Sequence, residues 1–295
     1  MPDLRAVLFV VGLMLAALGL AMFVPMVVDW QMGDRSWPAF AISGIFTTLV
    51  GAVLAITTYS PQPELPSRAA FLLTVLSWVV LAIFAAIPFL LTPTKMTVTN
   101  ALFEAVSGIT TTGSTIMVGL DDQQKGVLLW RAILQWIGGV GIIVTAMAIL
   151  PMLRIGGMQL FRLESSDMGE KILPRAASLA AAIGGIYVIL TSLCAAGYMW
   201  VGMSGFDAVA HAMTTVATGG FSTSDLSMGG FMDDGADLIC IAFMMAGGMP
   251  FGVYLLMTTR GDWRAPLRDS QVRAFLTVVT CLIAIVTMFL VLSDQ

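Results

Sequence analysis

Charge is scarce in this chain: Asp, Glu, Lys and Arg make up 11% of 295 residues, and histidine occurs once. So thin a supply of polar groups excludes a water-soluble globule of this length, and with 58% hydrophobic residues and a mean hydropathy of +0.92 lipid is the expected main solvent. No glycine loop carries the lysine of a phosphate site, and neither a second histidine nor paired carboxylates of one cleft occur, so the chain does not read as an enzyme and calls for no cofactor. Nothing supports nucleic-acid binding. The three cysteines, Cys194, Cys240 and Cys281, lie in apolar stretches without metal-ligand spacing and read as small packing residues.

What is there is a succession of long apolar runs. A bilayer core of roughly 30 Å needs about 20 residues of helix, and seven stretches qualify: 4–28, 37–58, 69–91, 126–150, 176–201, 236–258 and 272–292. The first is too long for the apolar core of a signal peptide and lacks a small-residue cleavage site, so it reads as a transmembrane helix. A cytoplasmic N-terminus places Arg5, Arg68, Arg154, Arg162, Lys171, Arg175, Arg260, Arg264, Arg268 and Arg273 inside, against Arg35, Lys95 and Lys125 outside, as the positive-inside rule prefers. Arg131 falls within its span near the outer face, and its role stays open.

The chain also repeats itself. NALFEAVSGITTTGST at 100–115 aligns without gaps on DAVAHAMTTVATGGFS at 207–222, an offset of 107, and WIGGVGI at 136–142 aligns on MAGGMPF at 245–251, an offset of 109. Pro66 with Arg68 before one span likewise matches Pro174 with Arg175 before another. Each unit reads as a helix, a 34-residue segment too polar to span, and a second helix. Within the segments, residues 100–109 and 207–216 have helical character and would cover roughly 15 Å, half of the bilayer core, the dimension of a re-entrant half-helix. Both segments begin and end on one side of the membrane, so the repeats run parallel.

After each half-helix comes a run of small hydroxyl and glycine residues, Thr110 to Thr115 and Ala217 to Thr223. Non-helical backbone at membrane depth is tolerated only where it is buried in protein or lines water. A desolvated monovalent cation supplies what such carbonyls lack, and they replace its hydration shell. Gly113 and Gly220 would let the backbone turn its carbonyls inward without a side-chain clash. The half-helices point their partially negative ends at the loops, which favours a cation. Glycines at 138, 139, 141, 247 and 248 read instead as close helix packing.

FEAVSGITTTGST at 103–115, WRAILQWIGGVGI at 130–142, GGMQLFRLESS at 156–166 and TVATGGFST at 215–223 together resemble the Trk/Ktr/HKT potassium transporter superfamily, in particular its bacterial TrkH type. The resemblance covers nearly the whole chain, including the two extra N-terminal spans of that type. It implies an all-α membrane protein with about seven transmembrane helices, two re-entrant half-helices and filter loops in parallel helix–loop–helix repeats. The corresponding divisions are two N-terminal helices (1–62), a first repeat (63–155), a cytoplasmic linker (156–174), a second repeat (175–260) and the first helix of an incomplete third (261–295). In the superfamily one glycine per loop serves as filter glycine, here Gly113 and Gly220, and glycine rather than serine at the first position goes with potassium rather than sodium.

The expected ion-facing residues are Thr111, Thr112, Gly113, Thr218, Gly219 and Gly220, with potassium on the backbone carbonyls of Thr111, Thr112, Thr218 and Gly219 and with Thr110, Ser114, Ala217, Phe221 and Glu104 as support. Glu104, costly in an apolar half-helix unless paired, is expected to brace a loop, and His211 aligns with it in the same structural slot. Asp121, Asp122, Asp225, Asp233, Asp234 and Asp237 gather on the expected outer side, where cation attraction and plain loop solvation explain them equally. The resemblance further implies the bacterial inner membrane as location and a cytoplasmic nucleotide-binding regulatory subunit near the linker, whose charges include Arg162, Glu164, Asp167, Glu170 and Lys171. Two loops are half of a four-loop pore, so a missing C-terminal half or a second copy in a homodimer is expected to complete it. Rival readings are a half-subunit that only assembles with a partner, and an alternating-access cation carrier; the latter calls for inverted repeats.

Overall fold

The computed structural model describes residues 4–59, 67–94, 96–153 and 172–293. Most of the expected cytoplasmic linker, with the motif at 156–166 and Arg154, Arg162 and Lys171, lies outside the described residues, as do Pro66 and Lys95. Among the described residues every regular element is helical.

Helices α1 (Leu4–Ala21) and α2 (Phe23–Met32) form one apolar stretch of 29 residues, interrupted at Met22 because Pro25 has no N–H for the Ala21 carbonyl. Helix α3 (Trp37–Thr57) runs back against them. Gly12 and Gly19 on one side and Gly44 and Gly51 on the other let the two backbones touch: a Cβ at Gly12 would overlap the Ala55 amide, and one at Gly51 the Ala16 amide.

In the first repeat, α4 (Ser67–Ala85) and α5 (Ile87–Leu91) form the outer helix, interrupted before Pro88 as α1 and α2 are before Pro25. A short helix α6 (Val98–Ile109) and a long inner helix α7 (Lys125–Leu153) follow. The second repeat has the same order: outer α8 (Ile172–Trp200), short α9 (Gly205–Val216), and an inner element made of α10 (Ala236–Gly248) and α11 (Phe251–Arg260). The chain continues through α12 (Ala265–Arg268) into α13 (Ser270–Ser293).

Five helical stretches among the described residues are long and apolar enough to cross a bilayer: Leu4–Met32, Trp37–Thr57, Arg68–Leu91, Ala180–Trp200 and Ser270–Ser293. The stretch expected at 126–150 falls inside α7. The stretch expected as one helix at 236–258 does not form one: α10 and α11 meet at 85°. Pro250 accounts for the break, since it donates no hydrogen bond and forces Met249 into extended backbone, ψ 150°. The Tyr254 hydroxyl donates to the Ala246 carbonyl at 2.7 Å and so supplies a partner beside the bend.

The two short helices also begin two residues before the expected starts at Asn100 and Asp207, because their caps lie further upstream. The Thr97 hydroxyl accepts the Asn100 N–H at 3.2 Å and the Ser204 hydroxyl the Asp207 N–H at 3.1 Å, the same cap 107 residues apart. Alanine at either position should cost about 1 kcal/mol, seen as a modestly lowered unfolding temperature of the purified protein in detergent.

Two apolar clusters hold these elements. One joins the N-terminal helices to the first repeat around Phe40, Phe89 and Trp130, and the other fills the second repeat around Tyr187, Tyr198 and Phe251. The Trp130 indole N–H donates to the Ala85 carbonyl at 3.0 Å, beside the Pro88 interruption.

Candidate functional site

Each short helix ends in a loop of the same backbone shape. Thr111 and Gly113 have φ of 55° and 78°, and Thr218 and Gly220 have φ of 53° and 81°, whereas the intervening Thr112 and Gly219 do not have positive φ. In both loops residues of positive φ thus alternate with one that lacks it, which turns successive peptide planes out of the helical arrangement. The amides are tied backward: Thr111 and Thr112 N–H donate to the Gly108 and Ser107 carbonyls, both at 3.0 Å, and Thr218 and Gly219 N–H to Thr215 and Thr214 at 2.9 and 2.8 Å. Among the described residues no donor reaches the carbonyls of Thr111, Thr112, Gly113, Thr218, Gly219 or Gly220. Carbonyls without a donor are the kind of oxygen that can replace a cation's hydration shell.

The loops lie against each other, since a Cβ on Gly113 would overlap the Gly219 carbonyl oxygen. Beneath them the inner helices approach with no side chain between: a Cβ at Gly138 would overlap the Ile109 carbonyl, and one at Gly247 the Val216 carbonyl. Ile109 and Val216 are the last residues of α6 and α9, so both contacts fall at equivalent places. Gly139 likewise lies against Ala217 and the Tyr187 hydroxyl.

Behind the first loop a buried ion pair ties the repeats together. Arg131 Nε donates to Glu104 Oε1 at 2.7 Å, Nη2 to the Thr115 hydroxyl at 3.0 Å and Nη1 to the Ser222 carbonyl at 2.9 Å, and its guanidinium lies 4.2 Å from the centre of the Phe221 ring. Glu104 also accepts from the Thr115 hydroxyl at 2.9 Å and the Ile116 N–H at 3.3 Å. The side chains of Arg131 and Glu104 are 1% and 0% exposed, so each charge depends on the other. In the second repeat His211 Nε2 lies 3.0 Å from the Ser222 hydroxyl, and Nδ1 lies 2.8 Å from the Asp207 carbonyl. Glu104 with Thr115 and His211 with Ser222 thus make the same link, with a charged acid in one repeat and an imidazole in the other.

The remaining expected support residues sit in the same layer. The Thr110 hydroxyl donates to Val106 at 2.7 Å, the Ser114 carbonyl accepts from the Ser107 hydroxyl at 2.5 Å, and the Phe221 N–H donates to Gln135 Oε1 at 3.0 Å. Further out, Asp225 Oδ1 accepts the Leu120 N–H at 3.0 Å, joining the return segments of the two repeats. Among the described residues no group of three or more His, Cys, Asp or Glu is placed to hold a metal ion.

A family model described as TrkH, cation transport protein, matches residues 36–293. The chain belongs to the TrkH family. Its relatives include the Trk system potassium uptake protein TrkI of Halomonas elongata, 42% identical over 286 residues, which cover 96% of this chain and 58% of TrkI. The Trk system potassium uptake protein TrkH of Escherichia coli K12 is 38% identical over 289 residues, 97% of this chain and 60% of that protein. The crystal structure of the potassium transporter TrkH from Vibrio parahaemolyticus superposes with a TM-score of 0.86 at 35% identity, over 96% of this chain and 58% of that one. This TrkH-family chain therefore spans about three-fifths of the length of the relatives it matches. The resemblance read from the motifs is borne out, and the chain is an all-helical, multi-pass membrane protein.

Two residues of this TrkH-family site escape a reading of the sequence. Arg131 is visible there as a basic residue inside a span but its partner is not, and Gln135, fully buried on the same face of α7, shows nothing that sets it apart. Both act across 86 to 91 residues of chain, on Phe221 and Ser222, and a local pattern carries no such information. The one available signal is spacing: positions 131 and 135 are four apart and share a helix face.

Proposed function

We propose that this chain supplies two walls of a potassium-selective pore in the bacterial inner membrane, with the backbone carbonyls of Thr111, Thr112, Gly113, Thr218, Gly219 and Gly220 replacing the hydration shell of the passing ion. The observation that carries this reading is the paired positive φ at 111 and 113 and at 218 and 220, which leaves carbonyls without donors in two loops that touch. The names of the relatives, potassium uptake proteins and a potassium transporter, agree with it. The parallel order of the repeats favours a pore over an alternating-access carrier.

A four-walled filter needs two further loops, from further repeats in the same polypeptide or from a second copy. The N-terminus lies in the cytoplasm, because that orientation gathers Arg260, Arg264, Arg268 and Arg273 on the inner side. A nucleotide-binding regulatory subunit docks on that side. No part of this transport requires bond making or breaking by the protein.

The test is rubidium entry into vesicles containing the chain. Uptake suppressed by potassium and insensitive to sodium is the expected result. Absence of rubidium entry, with insertion of the chain verified, would overturn the proposal that it conducts.

A further inference from the structure

The two loops are not supported alike. Residues 219–222 of the second loop are held from the inner helix of the first repeat: Arg131 donates to the Ser222 carbonyl, and Gln135 Oε1 accepts the Phe221 N–H at 3.0 Å. The Gln135 carboxamide also lies where a Cβ on Gly219 would stand, and its Nε2 is buried without a partner. At the 109-residue offset that aligns the inner helices, Arg131 and Gln135 correspond to Cys240 and Met244, which carry neither a guanidinium nor a carboxamide. Those two sulfurs lie 3.6 Å from each other.

The consequence follows from the peptide bond. The Phe221 N–H and the Gly220 carbonyl belong to one planar trans unit, so they point in opposite directions. With the N–H drawn toward Gln135, the Gly220 carbonyl must face away from α7. Gly220, at φ 81° with no atom within 4 Å of its Cβ position, carries no side chain that would resist rotation of that plane, and the hydrogen bond from the Phe221 N–H to Gln135 acts on the plane itself. We propose that Gln135 is the positioning residue that fixes the direction of the Gly220 carbonyl, and that the first repeat thereby sets the ion preference of the second repeat's loop. Its meaning for ions rests on the reading of these loops as a filter.

The unpartnered Nε2 completes the device. It lies 3.6 Å from the Cβ position of Gly113, beside both loops, and is a buried donor without a partner. A peptide plane that turned its oxygen outward would find this donor waiting. Gln135 therefore holds one orientation through its oxygen and offers the competing one a partner through its nitrogen.

Two variants separate these roles. Gln135→Met keeps the length of the side chain and removes both hydrogen-bonding atoms, whereas Gln135→Glu keeps the acceptor oxygen. Hydrogen exchange of the Phe221 amide, measured on the full chain in lipid nanodiscs, should accelerate at least about tenfold in Gln135→Met and stay slow in Gln135→Glu, since only the former loses the acceptor. Unchanged exchange in Gln135→Met overturns the proposal regardless of transport. Rubidium and sodium entry into vesicles supplies the second readout: the rubidium-over-sodium preference should fall about fivefold or more in Gln135→Met, in step with the exchange. Equal loss of both ions at an unchanged ratio would mark Gln135 as merely structural and overturn its part in specificity. A wild-type chain that passes neither ion overturns the proposal that it conducts by itself, and the exchange result still decides whether Gln135 holds the loop.

Discussion

Replacing Gly113 with serine should lower the rubidium-over-sodium preference of the reconstituted protein at least about tenfold. Two independent effects act together at this position. At φ 78° a side chain is strained by about 1–2 kcal/mol relative to glycine. The new Cβ would in addition fall on the Gly219 carbonyl oxygen of the neighbouring loop, a backbone atom that cannot rotate away. That oxygen must shift, and with it the spacing between the two loops. A change of about 1.4 kcal/mol in the difference between two ions is a factor of ten, and it is the displaced Gly219 oxygen, which alters the spacing seen by one ion more than by the other, that supplies it. Gly220→Ser, at φ 81° but with nothing within 4 Å of its Cβ position, suffers only the first effect and should be milder. Competition of sodium and potassium against rubidium uptake measures both variants. An unaltered preference in Gly113→Ser would exclude this loop as the selecting element.

Arg131→Met should be the most destabilising single change away from the loops. It leaves Glu104 buried at 0% exposure with its charge uncompensated, and breaking a buried pair in this way typically costs about 3–5 kcal/mol. It also strips donors from the Ser222 carbonyl and the Thr115 hydroxyl and removes the cation from the Phe221 ring. The double variant Arg131→Met with Glu104→Gln should recover a good part of the loss, because no buried charge then remains. Thermal unfolding in detergent of the wild type, Arg131→Met, Glu104→Gln and the double variant gives the coupling directly. Additive losses in the double variant would mean that the pair does not act as a unit.

Much of this architecture is written in the chain as repetition. Equal spacers and the 107-residue offset of the Thr/Gly runs point to two equivalent short helices and two equivalent loops, and the structure places them so. Their starts are two residues off because hydropathy marks where a helix becomes apolar, whereas Thr97 and Ser204 mark where its amides are first satisfied. The bend at Met249 and Pro250 escapes a count of apolar residues because both arms are apolar, although the proline that causes it is in plain view. Positive φ at Thr111 and Thr218 leaves no trace in composition, since threonine is an unusual residue for that region of backbone. The supports from Arg131 and Gln135 depend on how one repeat is rotated against the next, which no local spacing encodes.

At Gly138 and Gly247 main chain rests directly on main chain, so no rotamer stands between either inner helix and the tip of the short helix it meets. A flexible side chain at such a junction would act as a cushion, absorbing small tilts before they travelled. Here there is no cushion, and a lean of the long helix by a fraction of an ångström is delivered undamped to the floor on which the oxygen-bearing bend stands.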